Sequence, residues 1–289
     1  MKKALIISNG YFDNPSTLHQ RESLIKEFNN LGVSVTQRKG NEVLAFIENG
    51  EAKTGLGSQD FIIYLDKDII LATLLEKAGY KLFNSAETVR LCDDKALTYA
   101  YLTNNGINMP TTVSSPLMYA DNNDGGFVEK VKNMLGLPLI VKKVYGSMGK
   151  GVFKVDNEKE LYEIFDLLKR EPHLYQKKVG RTGTDTRVIV IGGKVVTAME
   201  RSNPADFRSN IELGGTGKKV ELSESKIRLA ETVAKLLKAD FLGVDILTDD
   251  KEYLCEANSN AFFKGITEVT GVNIAKIYAK YIYDKVYNQ

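Results

Sequence analysis

Three polar residues near the C-terminal end of the chain have the types and spacing of a metal site. Asp245, Glu256 and Asn258 each interrupt a stretch that otherwise has the pattern of a buried strand. We expect residues 249–252 to form a hairpin loop, which places Asp245 directly opposite Glu256. Asn258 then shares their face, because side chains alternate along a strand. Two carboxylates and an amide suit Mg²⁺ or Mn²⁺, and neutralisation of the acids by solvent, lysine or arginine is the open alternative.

A glycine-rich turn between two strands, within residues 137–155, has the features of a phosphate-binding loop. Gly146, Gly149 and Gly151 allow positive φ angles, so that backbone N–H groups can fold over phosphate oxygens. Lys142 precedes the turn, and the lysine after it points the opposite way. One of the two must face the covered side of the sheet, where an ammonium group needs an anionic partner. The alternative is an ordinary hairpin whose lysines extend to solvent.

The segment 184–200 is predicted to form a second hairpin, closed by a Gly-Gly pair that is typical of a two-residue turn. Its register pairs Arg187 with Ala198 and Asp185 with Glu200, all on one face. These polar residues lie at the end away from the turn, which indicates an edge that borders a cleft. A local ion network is the alternative.

The next segment, residues 200–210, is predicted to be an irregular loop. It contains two arginines, Arg201 and Arg208, which are of the residue type best suited to bind phosphate or carboxylate groups. A solvated loop without a ligand is the alternative for a segment of this composition.

Composition restricts the classes of function. The 289 residues include 39 basic and 37 acidic side chains, a formal charge of +2, so no global field favours a nucleic acid or a membrane. Cys92 and Cys255 form neither a disulfide framework nor a thiolate metal site, and no apolar run is long enough to span a bilayer. A cytoplasmic location is expected. His19 and His173 are expected at the surface and give little basis for a catalytic triad or a zinc site.

The N-terminal third alternates strand-like and helix-like patterns, which predicts a small parallel sheet covered by helices. Near residue 84 the pattern changes to strand pairs joined by short turns, and we place domains at residues 1–90, 91–175 and 176–289. The predicted strands of the first domain are 4–8, 33–38, 60–66 and 80–84, its helices are 19–32 and 68–79, and later helices are 96–106 and the regions near 158–170, 223–238 and 273–286.

From about residue 84 to residue 277 the chain resembles the RimK-like group of ATP-grasp ligases. The resemblance is carried by LPLIVKKVYGSMGKGVF, the hairpin with Asp185 and Arg187, and the strings ERSNPADFRSN, GVDIL and CEANSN. It implies a mixed α/β and α+β fold, in which an N-terminal parallel α/β domain precedes a two-lobed ATP-grasp fold. Residues 91–175 would then be the central lobe, and residues 176–289 would be the C-terminal lobe with the metal site.

The resemblance also implies an activity. ATP would drive the joining of a carboxylate to an amine through an acyl phosphate, with release of ADP and phosphate. The cofactors would be ATP and Mg²⁺ or Mn²⁺, and the amine would be an amino acid such as glutamate, with a peptide, protein or small-molecule acceptor left open. A kinase-like ATP-grasp enzyme and a nucleotide-binding regulatory protein without turnover are the alternatives. No nucleic acid or membrane partner is expected, and assembly into a homo-oligomer is left open.

By resemblance, motif positions assign roles to single residues. Arg208 would be the principal cation at the transferred phosphoryl group, and the three polar residues described first would hold the metal. Arg187 and Arg201 are candidates for the substrate carboxylate, and Arg201 is the weaker because the hairpin register points it away from Arg187. The nucleotide-binding residues would be Lys95, Lys142, Gly146, Ser147, Gly149, Gly151, Gln176, Lys177, Lys178, Asp185, Arg208, Ser209 and Asn210.

Two departures from the family pattern concern the ligands. Residues 260–263, Asn-Ala-Phe-Phe, stand where relatives have a Pro-Gly pair that shapes the acceptor side, so the resemblance does not identify the acceptor. Lys177 and Lys178 replace an acidic–aromatic pair at the adenine edge, where recognition through backbone groups would be retained.

Overall fold

The structure, a computed structural model, describes residues 2–120 and 125–288; residues 1, 121–124 and 289, which the predicted domain ranges include, lie outside the described part. A parallel sheet is followed by two antiparallel sheets, and a two-stranded hairpin stands apart from them. This architecture confirms the predicted mixed α/β and α+β class. Among the described residues, no helix is both long and apolar enough to span a membrane.

The N-terminal unit is a four-stranded parallel sheet with helices packed against it. Its elements are β1 (Lys2–Ser8), α1 (Pro15–Asn30), β2 (Val33–Lys39), β3 (Ala45–Glu48), β4 (Glu51–Thr54), β5 (Phe61–Leu65), α2 (Ile69–Lys77) and β6 (Leu82–Phe83). The strand order is β2-β1-β5-β6, and β3 pairs only with β4. Strands β1 and β5 are nearly continuous apolar runs, as expected for parallel strands buried on both faces.

The order of the parallel strands creates a crevice at one end of the sheet. Strand β2 lies on one side of β1 and β5 lies on the other, so the loops that leave β1 and β5 run in opposite directions. Ser8 ends β1 and Asp66 directly follows β5, so both residues lie at this crevice. Helix α1 begins beyond it, where Asn14 and Thr17 form a reciprocal capping box.

The central unit begins with two short helices and continues as a four-stranded antiparallel sheet. Its elements are α3 (Ala86–Asp93), α4 (Lys95–Leu102), β7 (Thr112–Ser114), α5 (Gly125–Leu135), β8 (Leu139–Lys143), β9 (Val152–Val155), α6 (Glu158–Leu168) and β10 (His173–Lys177). The strand order is β7-β10-β8-β9. Leu139 and Val141 pack with α5 and α6 in one core, so the alternate residues of β8 face the other way.

The C-terminal unit is a five-stranded antiparallel sheet between helices. Its elements are β11 (Thr184–Ile191), β12 (Lys194–Ser202), β13 (Thr216–Lys219), α7 (Glu224–Leu236), β14 (Phe241–Thr248), β15 (Glu252–Asn258), α8 (Lys264–Thr270) and α9 (Ile274–Tyr287). The strand order is β13-β12-β11-β14-β15. Val188 and Val244 share a core with α7, whereas Ile189 and Phe241 share one with α8 and α9.

A β-bulge changes the register predicted for the β11–β12 hairpin. The Gly-Gly turn forms as predicted, but β12 has one extra residue opposite Ile189 and Val190. Beyond the bulge Arg187 pairs with Met199, so the predicted pairing with Ala198 is wrong. One inserted residue moves every later side chain of the strand to the opposite face.

The same bulge corrects the prediction for Arg201. Asp185 pairs with Arg201 and not with Glu200, so the expectation that Arg201 points away from Arg187 is wrong, and both arginines bind Asp245. Strand β12 also continues through Ser202, so the segment 200–210 is a loop only from residue 203 onward.

A second bulge lies between β14 and β15. The loop is 249–251, one residue shorter than predicted, because Thr248 pairs with Glu252. The bulge beside Asp245 then adds one residue to β15 and restores the predicted pairing of Asp245 with Glu256. The predicted opposition of the two carboxylates is therefore confirmed, although the predicted loop length is wrong.

The N-terminal unit is fixed to the C-terminal sheet through Asn84, which follows β6. Its buried side chain donates to the carbonyls of Phe241 and Ser259 at 2.8 Å and accepts from the backbone N–H of Asp240 at 2.8 Å. The crevice of the parallel sheet is thereby held beside the end of β15. Strand β10 crosses the predicted boundary between residues 175 and 176, and the domain ranges stay a proposal.

Candidate active site

A cleft between the central sheet and the C-terminal sheet brings most of the predicted site residues together. Its empty volume is about 960 Å³. Strand β8 and the glycine loop form one wall, and strands β11, β14 and β15 form the other. The predicted site residues that line it are Lys95, Lys142, Gly146, Ser147, Gly149, Gln176, Lys177, Lys178, Asp185, Arg201, Arg208, Ser209, Asn210, Asp245 and Glu256.

Three predicted site residues lie outside this lining. Arg187 and Asn258 line an adjoining cavity of about 1120 Å³ between the C-terminal sheet and the N-terminal unit. Gly151 lies at the base of the glycine loop, where an added Cβ would come within 2.9 Å of the Lys143 side chain. The residues shared by the two cavities are Ser147, Asn210 and Glu256.

The predicted metal ligands lie on one face of the β14–β15 pair. Asp245 is directly opposite Glu256, and Asn258 is two residues further along β15. Asp245 is buried, whereas the other two side chains are partly exposed. The Asn258 side chain makes no hydrogen bond to any residue that the structure describes. Glu256 Oε1 lies 3.5 Å from Lys95 Nζ.

Two arginines hold the Asp245 carboxylate. Arg187 donates from Nε and Nη2 to its two oxygens, both at 2.7 Å, and Arg201 Nη2 donates to Oδ2 at 2.8 Å. Arg201 also binds both oxygens of Asp185, at 2.8 and 2.5 Å. Burial by itself would raise the pKa of Asp245, but the two guanidinium groups outweigh it and lower that pKa to about 2. Neutralisation of this acid by arginine, the alternative left open by the sequence, is therefore present.

The donor set also fits a divalent cation. Asp245 and Glu256 present carboxylate oxygens from opposite strands and Asn258 adds an amide oxygen, a combination that suits Mg²⁺ or Mn²⁺. Within residues 2–120 and 125–288 no three His, Cys, Asp or Glu side chains cluster as a metal site, so the third protein ligand would be the amide. A cation here would share the Asp245 oxygens with the two arginines.

Two buried lysines face the acids across the cleft. Lys142 and Lys95 are each 8% exposed. Lys142 projects from the cleft face of β8, contacts Cys255 Sγ at 3.8 Å and has no carboxylate partner among the described residues. Burial would lower the pKa of Lys142, but the neighbouring Cys255, Tyr99 and Glu256 outweigh it and raise that pKa above its ordinary value. A buried cation without a carboxylate partner favours an anionic ligand.

The glycine loop is held over the cleft from both sides. Gly146 and Gly149 have φ angles of 141° and 72°, as the predicted turn requires. Lys95 Nζ donates to the carbonyl of Gly146, and Arg208 Nη1 donates to that of Gly149, both at 2.9 Å. A Cβ at Gly149 would lie 3.1 Å from both Arg208 Cδ and Asn210 Oδ1, so glycine allows this close approach.

Arg208 connects the glycine loop to the segment after β12. Its Nε and Nη2 donate to the two oxygens of Asp206 at 3.0 and 2.7 Å, and this hydrogen bonding raises the pKa of the guanidinium group. The side chain is only partly exposed and lines the cleft. Arg208 is therefore a permanent cation that lines the cleft below the glycine loop.

The end of β10 forms the far end of the cleft. Gln176 is buried and donates from Nε2 to Thr112 Oγ1 at 2.9 Å. The side chains of Lys177 and Lys178 make no hydrogen bond or ion pair with the described residues. Ile140 adds an apolar surface on the β8 side, so this end of the cleft combines apolar contact with backbone groups and free ammonium groups.

The adjoining cavity is lined by Asn260, Ala261 and Phe262, from the segment expected at the acceptor side, but its wall from the N-terminal unit was not predicted from the sequence. Its N-terminal wall comprises Ser8, Asn9, Asp66 and Lys67 at the carboxyl ends of β1 and β5, together with Arg21 from α1. This wall could have been predicted, because the order of the parallel strands places a crevice at these ends.

His173 is a smaller correction. It is buried, so the predicted surface position is wrong. Its Nδ1 lies 2.7 Å from the carbonyl of Glu171 and its Nε2 lies 2.9 Å from the Tyr175 hydroxyl. Both ring nitrogens have partners, and the residue lies outside both cavities.

Comparison with known proteins decides the family. The RimK-like ATP-grasp domain matches residues 92–282, which is more than half of the chain. The chain belongs to the RimK-like ATP-grasp family. The match confirms the resemblance found in the sequence motifs and agrees with the two-lobed cleft.

Two curated relatives and one solved structure show how far the likeness of this RimK-like chain extends. N-acetylaspartylglutamate synthase A of Homo sapiens is 35% identical over 221 residues, 75% of this chain and 56% of the relative. A probable alpha-L-glutamate ligase of Parasynechococcus marenigrum is 35% identical over 207 residues, 69% and 43% of the two chains. The chain thus spans about half the length of these relatives. D-alanine–D-alanine ligase of Bacillus anthracis shares the fold, with a TM-score of 0.76 at 16% identity over 100% of this chain and 98% of that one.

Proposed function

We propose that this RimK-like chain is an ATP-dependent carboxylate–amine ligase that uses an amino acid, such as glutamate, as one substrate. The observation that carries the proposal is the cleft, in which Lys142 is buried without a carboxylate partner opposite the carboxylates of Asp245 and Glu256. The names of the two curated relatives, a synthase of an aspartylglutamate and a probable glutamate ligase, support amino-acid ligation.

The nucleotide would lie along the cleft. The base would contact Ile140 and the backbone near Lys177 and Lys178, and Asp185 would face the sugar. The phosphates would extend toward Lys142 and Lys95 beneath the glycine loop. Buried ammonium groups and backbone N–H groups can replace the water that solvates phosphate oxygens, which supports this orientation.

A divalent cation would be held by Asp245, Glu256 and Asn258. When bound, it supplies positive charge that offsets the phosphates during phosphoryl transfer. Arg187 and Arg201 keep Asp245 ionised and in one orientation, so the carboxylate is already in its cation-binding form. The two arginines thereby act through Asp245 as well as on any ligand that reaches them.

The reaction would consist of two displacements. An oxygen of the substrate carboxylate attacks the γ-phosphorus of ATP, the bond to the bridging oxygen breaks, and ADP leaves. The amine nitrogen then attacks the acyl carbon, phosphate leaves with the electron pair of the C–O bond, and the nitrogen loses a proton. Arg208 would stabilise the charge on the transferred phosphoryl group, and Arg187 would receive the carboxylate from the adjoining cavity.

The Glu256→Gln substitution tests this proposal. It removes one charge from the cation's ligands at nearly constant shape, so turnover should fall by more than the roughly 10- to 100-fold that loss of an outer-shell partner costs. The assay is incubation with ATP, Mg²⁺, the common amino acids and a panel of acids, scored for ADP and for new amide masses. Glu252→Gln, in the same strand but outside both cavities, is the matched control and should keep the wild-type rate.

Three outcomes would contradict the proposal. A near-normal rate in Glu256→Gln would exclude the metal site. ADP with a phosphorylated product and no amide would indicate a kinase-like enzyme. Nucleotide binding without turnover across the whole panel would indicate a regulatory protein.

A further inference from the structure

The charged residues that line the adjoining cavity differ in how they are neutralised. Asp66 has no ion pair with any residue in the described part of the chain, whereas the other four each have one. The four pairs are Arg21–Asp13 at 2.6 Å, Lys67–Asp93 at 2.5 Å, Arg187–Asp245 at 2.7 Å and Glu256–Lys95 at 3.5 Å.

Asp66 is also buried, at 6% exposure. Its Oδ1 accepts hydrogen bonds from Asn9 Nδ2 at 3.0 Å and from the backbone N–H of Lys67 at 2.7 Å. Within residues 2–120 and 125–288, no donor bonds to Oδ2. Oδ2 lies close to Gly40, where an added Cβ would come within 3.2 Å of it. A buried carboxylate with one open oxygen and no cation favours a cationic ligand.

The position of Asp66 in the fold also favours a ligand. It lies at the carboxyl end of β5, where the strand order reverses, and open parallel sheets bind ligands at that crevice. The cavity adjoins the proposed nucleotide cleft, because Ser147, Asn210 and Glu256 line both. A molecule bound to Asp66 would therefore lie in the cavity next to the end of the cleft where the phosphates are proposed.

The chemistry of the lining distinguishes an ammonium group from a metal ion. A hard metal ion takes six or more oxygen ligands, but Asp66 offers one open oxygen and Asn9 turns its amide nitrogen toward the site. An ammonium group is satisfied by a few acceptors. Arg21 is on the same wall, and its Nε and Nη2 make no hydrogen bond to the described residues, so it can receive a carboxylate.

We propose that Asp66 binds the ammonium group of an α-amino acid substrate, with Arg21 on the same cavity wall for the carboxylate. The inference rests on the proposed ligase function and names the substrate class that enters the adjoining cavity. It makes Asp66 a specificity-determining residue in the N-terminal unit, outside the region that the RimK-like domain matches.

Asp66→Asn is the test. The amide keeps an acceptor for Asn9 and for the Lys67 N–H but has no charge. The twenty L-amino acids are first screened against the wild type by thermal shift with Mg²⁺ and a nonhydrolysable ATP analogue, and the best ligand is titrated calorimetrically. Asp66→Asn should weaken its binding by about 10- to 100-fold, the equivalent of one hydrogen bond between charged groups, and should leave the KM for ATP unchanged. Asp68→Asn, which removes a nearby carboxylate but preserves the helix cap, should bind like the wild type.

A second measurement does not depend on any variant. The N-acetyl derivative of the best ligand has no ammonium group and should bind the wild type about as weakly as the free amino acid binds Asp66→Asn. Equal binding of the two compounds, equal affinity in Asp66→Asn, or no amino-acid binding to the wild type would overturn the inference. Failure of the ligase proposal has a different signature, because the wild type would then form no amide with any acid and amino acid, whether or not it binds the amino acid.

Discussion

The central unit and the C-terminal unit both provide cations to the cleft, but in different states. Lys142, from the central sheet, is buried and has no carboxylate partner among the described residues. Arg187, Arg201 and Arg208, from the C-terminal unit, each bind a carboxylate through two nitrogens. Lys142 on the central wall therefore presents charge that is free for a ligand, whereas the three arginines of the opposite wall present charge that is already engaged.

This difference indicates two kinds of contribution to function. An unpaired ammonium group acts on a ligand directly, and its removal leaves no carboxylate without its ion-pair partner. A paired arginine orients carboxylates first and reaches a ligand only by sharing or exchanging its hydrogen bonds. Substitution of a paired arginine should therefore damage the folded protein as well as the site, whereas substitution of Lys142 should damage ligand binding alone.

Arg201→Ala should have the largest effect on stability. Arg201 is 3% exposed and is shared by Asp185 and Asp245, so its removal leaves the buried Asp185 without its ion-pair partner and Asp245 with Arg187 alone. We expect the free energy of unfolding to fall by about 3–5 kcal/mol, measured by urea denaturation. Arg181→Ala is the control, because its pair with Glu200 is exposed and should be worth less than about 1 kcal/mol. Wild-type stability in Arg201→Ala would refute the distinction between the two walls.

Lys142→Met should have the next largest effect, on nucleotide binding only. The substitution removes a charge but breaks no ion pair, so the free energy of unfolding should change little. Affinity for an ATP analogue, measured by calorimetric titration, should fall by about 10- to 100-fold. Lys143→Met is the matched control, because Lys143 points away from the cleft and pairs with Glu171 at 2.6 Å. Unchanged nucleotide affinity in Lys142→Met would leave that lysine with a packing role.

Much of the fold was predictable because its signals are local. Apolar runs and caps predicted β1, β5 and most helices to within a few residues. The β3–β4 hairpin was missed although Asn49 and Gly50 form its turn with positive φ angles, a signal that the sequence contained. Helix α5 was not predicted, and its first two described residues are glycines, which are poor helix formers.

The site was less predictable because its geometry depends on two β-bulges. Alternation along a strand gives the correct face only while the register is unbroken. One bulge brought Arg201 to the face of Asp185, against the prediction, and the other compensated for a wrong loop length so that Asp245 still faces Glu256. Asp66 was missed for another reason, since it belongs to no motif and is identified by strand order and by its missing ion pair.

The pair between Asp13 and Arg21 is partly exposed and should contribute less to stability than the buried pairs of Arg201. Hydrogen bonds from Arg21 and Lys39 lower the pKa of Asp13 to about 2, below the value of about 4 for an unfolded chain. The pair therefore stabilises the fold above about pH 4, and this contribution is lost as the pH falls toward 2. Because the Asp13 side chain is 42% exposed, solvent should limit the contribution to less than about 1 kcal/mol.

Asp13→Asn should accordingly lower the free energy of unfolding slightly at pH 7, and its difference from the wild type should shrink as the pH is lowered from 4 to 2. Urea titrations of both proteins at pH 7, 4 and 2 measure this difference. If Asp13→Asn lowered the free energy of unfolding at pH 7 as much as Arg201→Ala does, burial would not explain the difference in strength expected between the Arg21 and Arg201 ion pairs. The exclusion of water from Asp185 and Asp245 would then not explain the stability that their pairs with Arg201 provide.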